Sequence, residues 1–78
     1  MTEEQEKEIK KLFGQALKAE RKSRKLSQVK LALLAETDPS YIGRVERGLV
    51  NVTISSYVNL ATSLGCSFPE FFQKKKDE

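Results

Sequence analysis

The chain has 78 residues, 38% of them hydrophobic, one cysteine, no histidine and a formal net charge of +3. That length and hydrophobic share leave room for one small core, not two lobes, and a single cysteine excludes an intrachain disulfide or a multi-cysteine metal site. Without a histidine base or clustered inward carboxylates, no enzymatic role, cofactor or metal is expected. The mild basicity suits a polyanionic partner without demanding one. No apolar run could span a bilayer and the acidic start Thr2-Glu3-Glu4 is unlike a signal peptide, so a cytoplasmic protein with no membrane contact is expected.

The first helix opens at Thr2, which can cap reciprocally with Gln5, while Glu3, Glu4 and Glu6 suit the positive end of the helix dipole. Its apolar residues Ile9, Leu12, Phe13, Ala16 and Leu17 follow the spacing of an amphipathic helix facing a core. Four residues further on, the same stripe reaches Arg21. A buried arginine needs a carboxylate, and Glu46 falls on the inward face of a later helix, so an Arg21 to Glu46 ion pair is expected. The alternative is that Arg21 reaches solvent along its own stem.

A second helix over about 28–35 is opened by Ser27 and turns Leu31, Ala32, Leu34 and Ala35 inward. Ala32 is small enough to sit where two steeply crossed helices touch. Asp38 and Pro39 then start a third helix over about 39–47, an N-cap followed by the one residue that loses no hydrogen bond at the first helical position. Helical projection puts Ile42, Val45 and Glu46 on one face and Ser40, Arg44 and Arg47 on the other. An outer stripe of one hydroxyl and two guanidinium groups suits the major groove of DNA; it is also what a solvated helix face looks like. Gly43, lacking a side chain, permits close approach.

A fourth helix, opened by Thr53, carries Ile54, Tyr57, Leu60, Ala61 and Leu64 inward and ends at Gly65. Cys66 is expected to pack as a small apolar residue near Leu64 and Phe68 rather than to act as a redox sensor. A terminal helix over about 68–75 places Phe68, Phe71 and Phe72 on one side, followed by a basic Lys74-Lys75-Lys76 tail. Two readings of the phenylalanines stay open, that they fill the core of one chain or that they meet a partner.

These residues resemble the lambda-repressor-like helix-turn-helix regulators, the XRE family. The likeness runs through Ser27-Gln28, Leu31-Ala32, Tyr41-Ile42, Val45-Glu46-Arg47-Gly48, Asn51 and Leu60-Ala61. The string from Pro39 to Gly48, the Asn51-Val52-Thr53 segment and the Phe71-Phe72 ending are most similar to controller proteins of restriction-modification systems. The resemblance implies an all-α, compact five-helix bundle of that DNA-binding type, one domain over residues 1–78. It implies that Gln28 bonds a phosphate and that Ser40 and Arg44 reach base edges. Pro39 and Tyr41 would lie against the duplex beside them, while Arg47, Asn51 and the helix start at Thr53 hold flanking phosphates. It further implies a homodimer through Leu64, Phe68, Phe71 and Phe72 on double-stranded DNA with a palindromic operator. With no effector domain expected, such a protein would regulate its own gene and restriction-modification genes by concentration alone.

The sequence departs from that family at Glu36, where glycine or asparagine is usual in the turn, and at Thr37, where a larger apolar residue is common. At Leu49-Val50, relatives often carry a basic residue, and exposed apolar surface is expected instead. Two alternatives follow, a phage-type repressor and an antitoxin or adaptor whose main contact is a protein, through Leu49, Val50 and the terminal phenylalanines.

Overall fold

The computed structural model describes residues 1–66, and among these the chain forms four α-helices and no strand: α1 (Glu3–Ser23), α2 (Gln28–Ala35), α3 (Pro39–Glu46) and α4 (Ile54–Ser63). The expected five helices are thus corrected to four for this part of the chain. The fifth, with Phe68, Phe71 and Phe72, lies outside the described residues.

Every helix starts where the sequence marks it. Thr2 and Gln5 form the reciprocal capping box, with Gln5 N–H donating to Thr2 Oγ1 at 3.1 Å and Thr2 N–H donating to Gln5 Oε1 at 2.9 Å. Ser27, Asp38 and Thr53 accept from the backbone N–H of Lys30, Ser40 and Ser56 at 3.0, 2.9 and 3.1 Å. Each satisfies a donor that the first helical turn leaves without a partner. Helix α3 closes at Glu46 instead of Arg47, which serves as its C-cap.

All four helices also end alike. A residue with positive φ follows each one: Lys25 at 59°, Glu36 at 56°, Gly48 at 77° and Gly65 at 87°. The next N–H then reaches back to a carbonyl five residues earlier, from Leu26 to Arg21, Thr37 to Ala32, Leu49 to Arg44 and Cys66 to Ala61. This is the Schellman closure, which needs one left-handed residue. Glycine supplies it twice without penalty; at Lys25 and Glu36 a Cβ is forced against the backbone. The turn at Glu36 therefore takes the left-handed shape for which the resemblance implied glycine or asparagine, and stores strain.

The core gathers Leu17 from α1, Leu31, Ala32 and Ala35 from α2, Ile42 and Val45 from α3, and Leu60 and Leu64 around α4. Leu26, Tyr41, Val50 and Val52 close over it, and the Phe13 ring meets Tyr57 edge to face at 5.3 Å. Helix α2 packs on both α3 and α4, and α1 packs on α3.

Four expected core residues lie largely outside it: Ile9, Leu12, Leu34 and Ile54 are 52, 48, 48 and 78% exposed. The reason for Ile9 is length and for Leu12 direction. At about 1.5 Å per residue, α1 reaches roughly 30 Å while α2 and α3 reach about 12 Å each, so its first turns overhang the elements that could cover Ile9, whereas Leu12, level with the contacts of Lys11 and Gly14, projects to the other side of the helix. Ile54, in the first turn of α4, instead lines a shallow apolar groove with Ile9, Phe13, Val52 and Tyr57. Leu34 is exposed while its neighbour Ala35 is buried. Val50, expected on the surface, is half-buried against the core, and Leu49 alone of that pair is exposed.

Helix α1 meets α3 backbone to backbone. A Cβ at Gly14 would lie 2.4 Å from the Val45 carbonyl oxygen and 2.7 Å from that of Glu46. Gly14→Ala is therefore expected to destabilise the protein by about 1–3 kcal/mol in urea unfolding, despite alanine's better helix propensity, because no flexible atom can yield. A variant as stable as the parent would mean that α1 slides freely along α3. Glu36→Gly should act oppositely and raise stability by up to about 1 kcal/mol, the strain relieved less the entropy that glycine adds to the unfolded chain; a lowered thermal midpoint would contradict this.

Candidate nucleic-acid interface

Helix α3 is buried on one side and open on the other. Ile42, Gly43, Val45 and Glu46 are buried, whereas Pro39, Ser40, Arg44 and Arg47 are exposed, and Tyr41 is half-buried with its ring packed partly on the core. The outer residues form a connected set. The Ser40 hydroxyl donates to Asp38 Oδ1 at 3.1 Å, and Arg44 Nη1 donates to Ser40 Oγ at 3.3 Å. Asp38 also accepts the Ser40 backbone N–H, and these two bonds, the backbone one first, hold its carboxyl below the usual range. The N-cap that starts α3 thus also places the two residues expected to read bases.

Behind α3, a buried network fixes its rotation. Arg21 donates to both carboxylate oxygens of Glu46, Nε to Oε2 at 2.6 Å and Nη2 to Oε1 at 2.9 Å. Its remaining nitrogen donates to the Leu26 carbonyl at 2.9 Å. The expected ion pair is present, and the alternative of a solvated Arg21 is not. Gln28 joins it, with Nε2 donating to Glu46 Oε1 at 3.0 Å. Since an amide nitrogen carries two hydrogens, one stays available to an outside acceptor.

Gly43 explains how Gln28 and Arg47 come together. Where a Cβ would stand on it, Arg47 Nη1 lies 3.3 Å away, and Gln28 Oε1 and Nε2 lie 3.8 and 3.9 Å away. Two side chains expected to hold phosphates therefore converge over a position that has no side chain. Asn51 and Thr53 are exposed at the start of α4, where Thr53 takes the N–H of Ser56. Leu64, expected at a dimer contact, is buried within the core of the chain, and Phe68, Phe71 and Phe72 lie outside the described residues.

One contact was not legible from composition or spacing. Cys66 is buried, and Arg24 Nη2 lies 2.8 Å from its sulfur while also approaching Glu20 Oε2 at 3.4 Å. The thiol thus sits among charged groups at the junction of the α1 and α4 ends, and not in a wholly apolar setting. Among the described residues no cluster of potential metal ligands occurs and no helix is long and apolar enough to cross a membrane.

The helix-turn-helix family profile (HTH_3) matches residues 17–71. The chain is 34% identical over 68 residues to the control protein C.SmaI of Serratia marcescens, covering 87% of this chain and 81% of that protein. It is 44% identical over 52 residues to the immunity repressor protein of Bacillus phage phi105, which takes in 67% of this chain but 36% of the repressor. Among solved structures, the restriction-modification controller protein C.AhdI from Aeromonas hydrophila matches with a TM-score of 0.77 at 42% identity, over 82% of this chain and 97% of that one.

The network carries a pH dependence with a definite sign. Burial pushes the Glu46 carboxyl up, but the hydrogen bonds from Arg21 and Gln28 and the charges of Arg21 and Lys18 together pull it below its ordinary value of 4.5. A carboxyl depressed on folding contributes stability above its unfolded pKa and loses it as pH falls through the folded one. Stability should therefore hold from pH 8 to about 5 and decline below about 4.5. Glu46→Gln should lower stability at pH 7, by about 3–5 kcal/mol where Arg21 is left uncompensated, and should flatten that acid decline. Urea titrations at pH 7 and 3.5 check both; equal acid losses in parent and variant would remove Glu46 as the titrating group.

Proposed function

The chain belongs to the helix-turn-helix family of lambda-repressor-like (XRE) regulators, with restriction-modification controller proteins among its homologues, and on that premise we propose that it binds a palindromic operator as a homodimer and controls restriction-modification genes together with its own. Such a protein is a DNA-binding transcriptional regulator, and its relatives are regulators, not enzymes. The observation that carries the reading is the two-sidedness of α3, with Ser40 and Arg44 exposed while the opposite face is locked by the core and by Glu46.

In this reading Arg44 donates to a guanine edge and Ser40, whose own hydrogen is taken by Asp38, accepts from a base donor. Gln28 uses its second amide hydrogen on a phosphate, and Arg47 beside it does the same, which sets register without reading sequence. Pro39 and Tyr41 border the duplex. Asn51 and the N–H groups of Ile54 and Ser55, left over once Thr53 has capped Ser56, hold a phosphate at the start of α4. Two copies joined through Phe68, Phe71 and Phe72 would set their recognition helices about one DNA turn apart, ~10 bp, on one face of the duplex. Occupancy then follows protein concentration in the cytoplasm, with no small-molecule effector.

A second reading rests on Leu49, which is 64% exposed beside the recognition helix and offers apolar surface to a protein. Selection of genomic duplex fragments by the purified protein at about 150 mM salt, where non-specific attraction is screened, separates the two. Recovery of a palindrome upstream of its own gene is expected; no enriched sequence would favour the protein partner. On the recovered operator, Arg44→Ala should weaken binding by about 1–3 kcal/mol and leave random-sequence DNA nearly unaffected, as fluorescence anisotropy can measure. Equal losses on both duplexes would remove Arg44 as a base reader.

A further inference from the structure

Helix α1 has an edge that neither the core nor the motif uses. At about 100° per residue, Lys11, Gln15, Lys18 and Lys22 fall within roughly one sixth of its circumference, and all four are exposed. Between Lys11 and Lys25 the only carboxylate is Glu20, which lies on the far side of the helix by the same projection and pairs with Arg24. None of the three lysines forms an ion pair among the described residues. The first turns differ, since Lys7 has Glu3 and Glu4 one turn before it.

That edge borders the end of the recognition helix. The α1 backbone at Lys11 lies against Gly48, where an added Cβ would meet Lys11 Cα at 3.0 Å. One turn on, Gly14 touches the Val45 and Glu46 carbonyls, and two turns further Arg21 grips Glu46. Lys18 stands close enough to act on the Glu46 charge. The lysine edge therefore runs beside the end of α3, where Arg44 and Arg47 are also exposed. Their span, about 16 Å from Lys11 to Lys22, equals the axial length of some five base pairs, enough to follow a strand past several phosphates.

We propose that Lys11, Lys18 and Lys22 form a second phosphate-binding track on α1, contacting the DNA backbone next to the segment read by α3. The proposal rests on the DNA-binding reading and adds to it a sequence-independent surface outside the motif. Exposed lysines that hold phosphates displace condensed counterions, so their contribution appears in the salt dependence of binding and not in base discrimination. A purely structural role, neutralising the carboxyl end of α3, would leave that salt dependence untouched.

The test uses the full chain and a mixed-sequence 20-bp duplex, so no operator need be known. Fluorescence anisotropy between 50 and 200 mM salt gives the slope of log K against log salt for the parent, for Lys11→Gln, Lys18→Gln and Lys22→Gln singly, for the triple variant, and for Lys7→Gln as a charge-matched control. The expected result is a slope smaller by about 0.9 for each single variant and by about 2.7 for the triple, with Lys7→Gln like the parent. Circular dichroism confirms that each exposed substitution leaves the helices intact. Slopes unchanged in the three variants, or reduced as much by Lys7→Gln, would overturn the track while leaving the recognition helix in place. A parent that binds no duplex at all would overturn the DNA-binding reading and the track with it.

Discussion

The arrangement depends on one buried charge pair. Arg21 and Glu46 share two hydrogen bonds in the interior, Arg21 donates a third to the Leu26 carbonyl, and Glu46 accepts one more from the Gln28 amide. Four parts of the chain thus meet at a single point: α1, the turn after it, the first residue of α2 and the last of α3. Such a pair adds little net stability compared with apolar residues of the same size, since desolvating both charges costs about as much as their attraction returns. What it adds is direction. Apolar contacts at Ile42 and Val45 tolerate some rotation of α3 about its axis, whereas a bidentate guanidinium–carboxylate pair is planar and does not. The outward aim of Ser40 and Arg44 follows from that constraint.

Close backbone packing supplies the second constraint. Gly14 and Gly48 allow α1 to lie directly on the end of α3 and the turn beyond it, so the first helix acts as a rigid strut behind the recognition helix. The same proximity brings the α1 backbone at Lys11 against Gly48, at the end of α3. In the proposed function, positioning and reading are in this way divided between elements: α1 and the first residue of α2 set height and register, and the outer face of α3 is the one offered to the bases. Gln28 belongs to both sides, because one amide hydrogen ties it to Glu46 while the other faces outward.

Much of this was legible in the residues. The four N-caps were readable because serine, threonine and aspartate satisfy orphan donors locally, within three residues. The ion pair was readable because an arginine on a buried stripe demands a partner. Periodicity alone overstated the core at Ile9, Leu12, Leu34 and Ile54, since it marks which way a side chain faces and not whether another element is there to cover it. Val50 went the other way, for a residue in a connecting segment has no periodicity to betray its burial. The left-handed residue Lys25 carried no glycine to announce it, whereas Glu36 was marked by the resemblance, which usually has glycine or asparagine in that turn; the meeting of Cys66 with Arg24 joins positions 42 residues apart.

The sequence by itself determined the helices, their starting caps, the inward and outward faces of α3 and the need for a carboxylate opposite Arg21, because each depends on hydrogen bonds or spacings within a few residues. Tertiary structure alone decided how far α1 overhangs its neighbours, that Gln28 and Arg47 converge over Gly43, and that the α1 lysines border the recognition helix. Those outcomes depend on the angles and distances at which separate helices pack, and such distances are set by backbone contacts that no local pattern records.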